Sequence, residues 1–250
     1  MDYTVLSYIF NGYELLHEVM EPDPDADYIM VTDDPSLRSG TWRIALDERR
    51  GMGVMEKCYD VRFHPFRYAK TDLCVRLDSS MGINRSLRPL IGKMQEGQYD
   101  RCLLIPPYRN LIPDEYAAWV RTRNYSEQQA ERCMKAMLDF GYDMGYRGFF
   151  GGGFEIVRDN AVNRELNERT LRMLHELRTE TDIERIDQTV FSAIANRFYA
   201  DRLKVLPVPQ EILHGNPIQW YCHHSDRPIG LNRKNVIRPM MFNRPISFTI

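Results

Sequence analysis

An acidic and hydroxyl-rich segment, Asp78-Ser79-Ser80, comes directly after the short apolar run Leu73–Leu77. A run of this length and composition predicts a strand buried in a sheet. In an open α/β sheet, ligands bind beyond the carboxyl ends of the strands, where these three side chains would lie. Their oxygen atoms suit a hard divalent cation or a sugar hydroxyl. The alternative is a strand that ends in an ordinary polar turn.

Two further acids, Asp33 and Asp34, follow a second predicted strand over Tyr28–Val31. At the carboxyl end of that strand they could accept hydrogen bonds from a nucleotide base or a ribose. A turn in which an Asp side chain bonds its own backbone explains the same residues equally well.

Asp187-Gln188 opens a predicted helix over Ile186–Tyr199. Asp is a common N-cap, so plain capping is the alternative to a functional role for this pair. The glycines Gly151 to Gly153 lie in a predicted strand, where they cost backbone entropy and indicate that another group approaches closely. For Glu155 in the same strand, we favour a solvated position over contact with an acceptor sugar.

Strands and helices alternate in the first half of the chain, which predicts an α/β fold with a mostly parallel central sheet flanked by helices. We predict a helix over Asn84–Met94 capped by Asn84, and another over Ser126–Phe140 with a capping box formed by Ser126 and Gln129. We expect one domain over residues 1–250, around which residues 207–250 wrap.

The composition is that of an ordinary soluble protein, with 43% hydrophobic residues, 27% charged residues and a net charge of -2. This charge does not favour nucleic acid as a partner. No apolar run reaches the roughly 20 residues of a membrane span, and the start of the sequence lacks the pattern of a signal peptide. Five scattered cysteines form no Cys-x-x-Cys pair. These features predict a reduced, cytoplasmic protein, and leave peripheral membrane association open.

The order of the motifs resembles a glycosyltransferase-like family, formerly of unknown function, that is linked to plant cell-wall and bacterial polysaccharides. Its members show a Gly-Tyr after the first strand, a strand ending in Thr-Asp-Asp-Pro, a strand ending in an Asp-containing turn, and a helix that starts with Asp-Gln. This sequence has Gly12-Tyr13, Thr32-Asp33-Asp34-Pro35, Asp78-Ser79-Ser80 and Asp187-Gln188 in that order.

The family 8 glycosyltransferases provide a second, more distant resemblance. The segment Phe149–Val157 is similar to their Phe-Asn-x-Gly strand, and Asp187-Gln188 is similar to the start of their Asp-Gln-Asp helix. His224 and the residues up to Gly230 are similar to their metal-binding His-x-x-Gly segment, with a longer spacing. Both resemblances imply a GT-A-like fold and a retaining sugar transfer from a nucleotide-diphosphate donor to a glycan or lipid-linked acceptor.

The same resemblances imply roles for individual residues. Asp187 and Gln188 would be catalytic, beside the anomeric carbon, and Mn²⁺ or Mg²⁺ would be held by Asp78, Ser80 and His224. The second Asp of the family's Asp-x-Asp element is Ser80 here, a poorer ligand, so Lys57, Arg62 or Arg233 would neutralise the phosphates if no metal binds. The residues expected to bind the nucleotide sugar are Asn11, Gly12, Tyr13, Asp33, Asp34, Lys57, Arg62, Asp78, Ser79, Ser80, Gly152 and Gly153.

Two other functions compete with this interpretation. A non-catalytic carbohydrate-binding protein with a degenerate metal site is favoured by Ser80. A nucleotidyltransferase on a similar sheet is disfavoured, because no glycine-rich basic loop follows the first strand. The absence of Walker, Gly-x-Ser-x-Gly and Gly-x-Gly-x-x-Gly motifs argues against ATPases, esterases and Rossmann oxidoreductases.

Overall fold

The computed structural model describes residues 2–106, 111–121, 125–139, 141, 148–181, 186–209, 213 and 217–221. Within these ranges the chain forms nine strands. Their bounds are β1 Tyr3–Ile9, β2 Ala26–Thr32, β3 Arg43–Leu46, β4 Leu73–Leu77, β5 Met81–Ile83, β6 Arg101–Ile105, β7 Gly151–Arg158, β8 Val205–Pro209 and β9 Ile218–Trp220.

Seven strands form the central sheet in the order β3-β2-β1-β4-β7-β6-β8, and β5 pairs with β9 in a separate two-stranded sheet. Strands β1 to β4 are mutually parallel, as are β6 and β8, and β7 runs antiparallel to both β4 and β6. The predicted α/β fold with a mostly parallel sheet is confirmed.

Six helices occur in the described ranges, namely α1 Val54–Phe63, α2 Arg88–Glu96, α3 Ile112–Arg121, α4 Glu127–Asp139, α5 Ala161–Thr181 and α6 Asp187–Phe198. A short 3-10 helix over Pro65–Arg67 follows α1. Each of these helices is too short or too polar to cross a lipid bilayer.

The central strands bury both of their faces, as their continuous apolar runs predict. Val5 and Val75 pack with apolar residues of α2 in one cluster. Their chain neighbours Leu6 and Cys74 pack with Val61 of α1 in another. Because successive side chains of a strand point to opposite faces, helices must cover the sheet on both sides.

The reversed strand β7 decides which residues meet at the carboxyl edge of the sheet. Leu77, the last residue of β4, is paired with Phe154 near the start of β7. The backbone N–H of Asp78 donates to the carbonyl of Gly153 at 2.8 Å. The glycines that open β7 therefore lie beside the end of β4, because β7 runs in the opposite direction.

The capping box of α4 is confirmed, and the helix predicted over Asn84–Met94 exists as α2, but it begins at Arg88 and its N-cap is Leu87. The N–H of Gln129 donates to the Ser126 hydroxyl at 3.2 Å, and the N–H of Ser126 donates to the Gln129 side chain at 3.0 Å. Asn84 caps nothing and instead follows β5. Helix α2 begins at Arg88 because Pro89 fits a first turn, and would break a helix that started earlier.

The described part of the C-terminal tail belongs to the two sheets. Strand β8 is an edge strand beside β6, and β9 pairs with β5, which directly follows the Asp78-Ser79-Ser80 segment. Residues 222–250 lie outside the described residues, so the wrapping of the remaining tail stays a prediction, as does the single domain.

Candidate functional site

Asp78 lies just past the end of β4, where the sequence predicted it. Its Oδ1 accepts a hydrogen bond from Arg76 Nη1 at 2.8 Å and one from the Tyr8 hydroxyl at 3.3 Å. Burial, followed by the Asp78 carboxylate, raises the pKa of Tyr8, so its hydroxyl remains a donor. The Asp78 side chain is 39% exposed, so it faces solvent while an arginine and a tyrosine fix its orientation.

Arg76 is fully buried in β4 and connects Asp78 to the interior of the sheet. Its Nε donates to Glu155 Oε1 at 2.7 Å, and Nη2 donates to the carbonyl of Gly152. Arg76 and Glu155 are directly paired across β4 and β7. An Arg within the apolar strand β4 and a Glu in the middle of β7 were the sequence signal for this ion pair.

The expectation that Glu155 is solvated was wrong, because this residue is only 3% exposed. Its Oε2 accepts a hydrogen bond from Arg101 Nε at 2.8 Å, and Arg62 Nε lies 4.0 Å from Oε1. Burial alone would raise the pKa of Glu155, but Arg101, Arg76 and Arg62 together hold that pKa well below its usual range. We call Arg62, Arg76, Arg101 and Glu155 the arginine cluster.

Asp187 occupies the first position of α6 and pairs with Arg62 of α1. Ile186 is the N-cap of this helix, with no side-chain capping bond. The capping alternative for Asp187 is therefore not what the structure shows. Arg62 is buried, and among the described residues its Nε has no hydrogen-bond partner. Within the described part of the chain, the carboxylate of Asp187 is thus held by the guanidinium of Arg62.

Gly152 and Gly153 lie between these two acids. A Cβ built on Gly152 would come 2.7 Å from the Cγ of Gln188 and 2.9 Å from Arg62 Nη2. A Cβ on Gly153 would collide with the terminal methyl group of Met81, and it would lie 3.5 Å from Asp78 Oδ2. The close approach that the glycines predicted is therefore made by Gln188 and Arg62 at Gly152 and by Met81 at Gly153, with Asp78 at ordinary contact distance. This places Asp78, Asp187, Gln188 and both glycines at one site.

Asn11, Asp33 and Lys57 meet at a second point on the same edge, which we call the β1–β2 corner. The N–H of Asn11 donates to Asp33 Oδ1 at 2.8 Å, and Lys57 Nζ lies 3.4 Å from Asp33 Oδ2. Lys57 also lies over the ring of Phe10, 5.5 Å from its centre. Helix α1 carries both Lys57 and Arg62, and so connects the corner to the arginine cluster.

Asp34 fits the turn alternative. Its Oδ1 accepts hydrogen bonds from the N–H and the hydroxyl of Ser36, at 2.7 and 2.6 Å. Asp34 follows β2, which is separated from β4 by β1, so its backbone lies at least about 10 Å from that of Asp78 by the usual strand spacing.

The other residues predicted to belong to the site either lie at its solvent-exposed edge or fall outside the described ranges. Gly12 and Tyr13 are exposed in the turn after β1, and Ser79 and Ser80 are half-exposed after Asp78. The Ser80 carbonyl accepts a hydrogen bond from the N–H of Tyr221 at 2.9 Å, which brings the tail to this point. His224 and Arg233 are outside the described residues.

The described residues do not by themselves form a binding site for a divalent cation. In this part of the chain no three His, Cys, Asp or Glu side chains come close enough to share an ion. Asp78 offers one carboxylate, and its Oδ1 already accepts from Arg76 and Tyr8. The dominant charges around Asp78 and Asp187 are guanidinium groups, which stay protonated in proteins.

No protein-family model and no curated protein sequence matches this chain. Among solved structures, the galactosyltransferase LgtC, in complex with donor and acceptor sugar analogs, is 14% identical over 82% of this chain and 73% of its own, with a TM-score of 0.44. Mouse xyloside xylosyltransferase 1 is 8% identical over 82% and 85%, also with a TM-score of 0.44. GlyE, a glycosyltransferase of Streptococcus pneumoniae TIGR4, is 12% identical over 82% and 45%, with a TM-score of 0.41. Similarity at this level carries no argument about activity.

Proposed function

We propose that this protein is a glycosyltransferase that moves a sugar from a nucleotide-diphosphate donor to a glycan or polysaccharide-precursor acceptor. The observation that carries the proposal is the placement of Asp78 and Asp187 on either side of Gly152-Gly153, each held by a buried arginine. Two carboxylates held in fixed orientations at one edge of the sheet suit a substrate rich in hydroxyl groups. The family resemblances in the sequence add support, and they also favour a retaining outcome.

In this proposal Asp187 and Gln188 contact the donor sugar. As the glycosidic bond to the diphosphate breaks, positive charge develops at the anomeric carbon, and a fixed carboxylate stabilises it. Arg62 holds the Asp187 carboxylate, so it does not have to reorganise during the reaction. The side-chain amide of Gln188 can bond sugar hydroxyls next to Gly152, where no Cβ intervenes.

The nucleotide of the donor would lie over the β1–β2 corner. Asp33, which also accepts from the N–H of Asn11, can accept hydrogen bonds from a base or ribose, and Lys57 supplies positive charge for the phosphates. Mn²⁺ or Mg²⁺ bound by Asp78 would need a ligand beyond the described residues, for which we propose His224, together with Ser80. None of the steps above depends on that ion.

A thermal-shift screen of uridine and guanosine diphosphates and their sugar conjugates tests the proposal. A ligand that binds only the native state raises the melting temperature. We expect a rise with at least one nucleotide sugar, and a smaller rise for the Asp78→Ala variant than for an Asp139→Ala control. Asp139 is an exposed acid of α4 whose partner is the neighbouring Lys135. No shift with any nucleotide or nucleotide sugar would contradict the proposal.

A non-catalytic carbohydrate-binding protein is the second candidate. It is favoured by Ser80, which stands in place of a carboxylate, and by the commitment of Asp78 Oδ1 to Arg76 and Tyr8. Glycan binding without any breakdown of a nucleotide-sugar donor would support this candidate over the transferase.

A further inference from the structure

Glu155 stands at the centre of the arginine cluster, and both site carboxylates connect to it. One path runs from Glu155 through Arg76 to Asp78, with contacts of 2.7 and 2.8 Å. The other path runs through Arg62, which lies 4.0 Å from Glu155 and pairs with Asp187. Asp78 and Asp187 come from different halves of the chain, and one buried side chain lies between the arginines that hold them.

We propose that Glu155 is a positioning residue, which fixes Arg76 and Arg62 so that Asp78 and Asp187 face the same substrate. This inference rests on the proposed function. Glu155 is 3% exposed, so it does not touch the donor or the acceptor. It acts on the reaction through the two arginines alone.

The charges in the cluster explain why a carboxylate is needed at this position. Arg62 and Arg76 both approach Glu155 Oε1 from the interior of the protein, where like charges repel more strongly than in water. Burial first, and then the neighbouring Arg76, lower the pKa of Arg62. The negative charge of Glu155 offsets this repulsion and lets both guanidinium groups keep their places.

Arg101 provides the internal control, because it binds the same carboxylate on the side away from the site. It contacts Glu155 Oε2 at 2.8 Å, donates to Asn167 at 2.9 Å and lies over the ring of Phe191. Within the described residues it contacts neither Asp78 nor Asp187. A change at Arg101 that keeps its charge therefore disturbs the buried cluster without touching Asp78 or Asp187.

The test compares Glu155→Asp with Arg101→Lys, since both variants keep their charge and are the changes most compatible with folding. Glu155→Asp withdraws the carboxylate by one methylene, and a displacement of about 1 Å in a catalytic arrangement can lower the rate about 100-fold. We expect kcat for the nucleotide-sugar donor to fall at least about tenfold in Glu155→Asp. Arg101→Lys should keep kcat within about threefold of the wild type, even if its melting temperature falls more than that of Glu155→Asp.

Crystal structures of both variants give a readout that does not need turnover. Glu155→Asp should break or lengthen the Arg76–Asp78 pair or the Arg62–Asp187 pair, and Arg101→Lys should preserve both. Intact pairs in Glu155→Asp, unchanged kcat in that variant, or an equal loss of kcat in Arg101→Lys would each overturn the inference. A wild-type protein without transferase activity would contradict the proposed function instead, and the structures would still decide the role of Glu155.

Discussion

Arg62 in the last turn of α1 pairs with Asp187 at the first position of α6, and this contact joins the two halves of the chain at the candidate site. An acid in the first turn of a helix is stabilised by the helix dipole, so its carboxylate needs no partner for the helix to form. The pairing of the Asp187 carboxylate with a buried arginine beside Gly152 is better explained as a way to fix the orientation of that carboxylate. The following predictions test this arrangement.

Replacing Asp187 with Asn should reduce sugar transfer by about 100-fold or more, because the change removes a fixed negative charge while keeping the side-chain shape. The donor KM should change little, since the nucleotide is bound at the β1–β2 corner. Steady-state kinetics with the donor found in the thermal-shift screen measures both effects. Asp139→Asn on α4 is the matched control, and it should be silent because that acid is 64% exposed. Equal activity of Asp187→Asn and Asp139→Asn would show that the charge of Asp187 takes no part in the reaction.

Replacing Gly152 with Ala should lower both stability and activity. The new methyl group would lie 2.7 Å from Gln188 and 2.9 Å from Arg62, so at least one of them must move. Overpacking of this kind costs about 1–3 kcal/mol, which urea denaturation can measure. Gly92→Ala in α2 is the control, where nothing lies within 4 Å of the added Cβ. It should stabilise the protein by about 0.5–1 kcal/mol through helix propensity. A Gly152→Ala variant that is as stable as the wild type would contradict the packing at Gly152.

His64 should make the stability of the protein depend on pH. Its Nδ1 lies 2.8 Å from Asp60 and its Nε2 lies 3.0 Å from Glu168, which joins the end of α1 to α5. The hydrogen bond to Asp60, more than the opposing effects of burial and Arg67, raises the pKa of His64. A raised pKa in the folded state means that protonated His64 stabilises the fold below the unfolded pKa of about 6.5. This stabilisation is lost as the pH rises through the higher pKa of the folded state.

The His64→Gln variant measures this effect. Its deficit in the free energy of unfolding should be largest below about pH 6.5 and should shrink as the pH rises. Urea denaturation of the wild type and the variant across this range gives the difference at each pH. His175→Gln, on the exposed face of α5, is the control for substituting a histidine. A deficit that stays constant with pH would show that His64 acts only through its packing and neutral hydrogen bonds.

Much of the fold followed from local sequence. The apolar run at 73–77 is β4 to the residue, and the capping box at Ser126 starts α4 as predicted. Parallel pairing followed from the alternation of strands and helices, but the reversal of β7 did not, because strand direction depends on contacts distant in sequence. The start of α2 was predicted four residues too early. Asn84 is a favourable N-cap residue, but Pro89 is tolerated only in the first turn of a helix.

The candidate site was only partly visible in the sequence. Asp78, Asp187 and the glycines carried recognisable motifs, and the structure brings them together. Glu155 was misjudged because a charge in a glycine-rich strand suggests exposure, whereas the cross-strand pair with Arg76 buries it. Asp33 pairs with Lys57, whereas Asp34 accepts hydrogen bonds from Ser36 in its own turn. No local sequence pattern predicts which of the two acids Lys57 contacts.

The release of nucleoside diphosphate from a panel of nucleotide sugars, measured for the wild type and for the Asp78→Ala and Asp187→Asn variants with and without Mn²⁺, tests the central claim most directly. The account predicts release from at least one donor by the wild type, and a loss of about 100-fold or more in each variant while the fold is retained. It would be contradicted if no donor is consumed, or if both variants release the nucleotide as fast as the wild type.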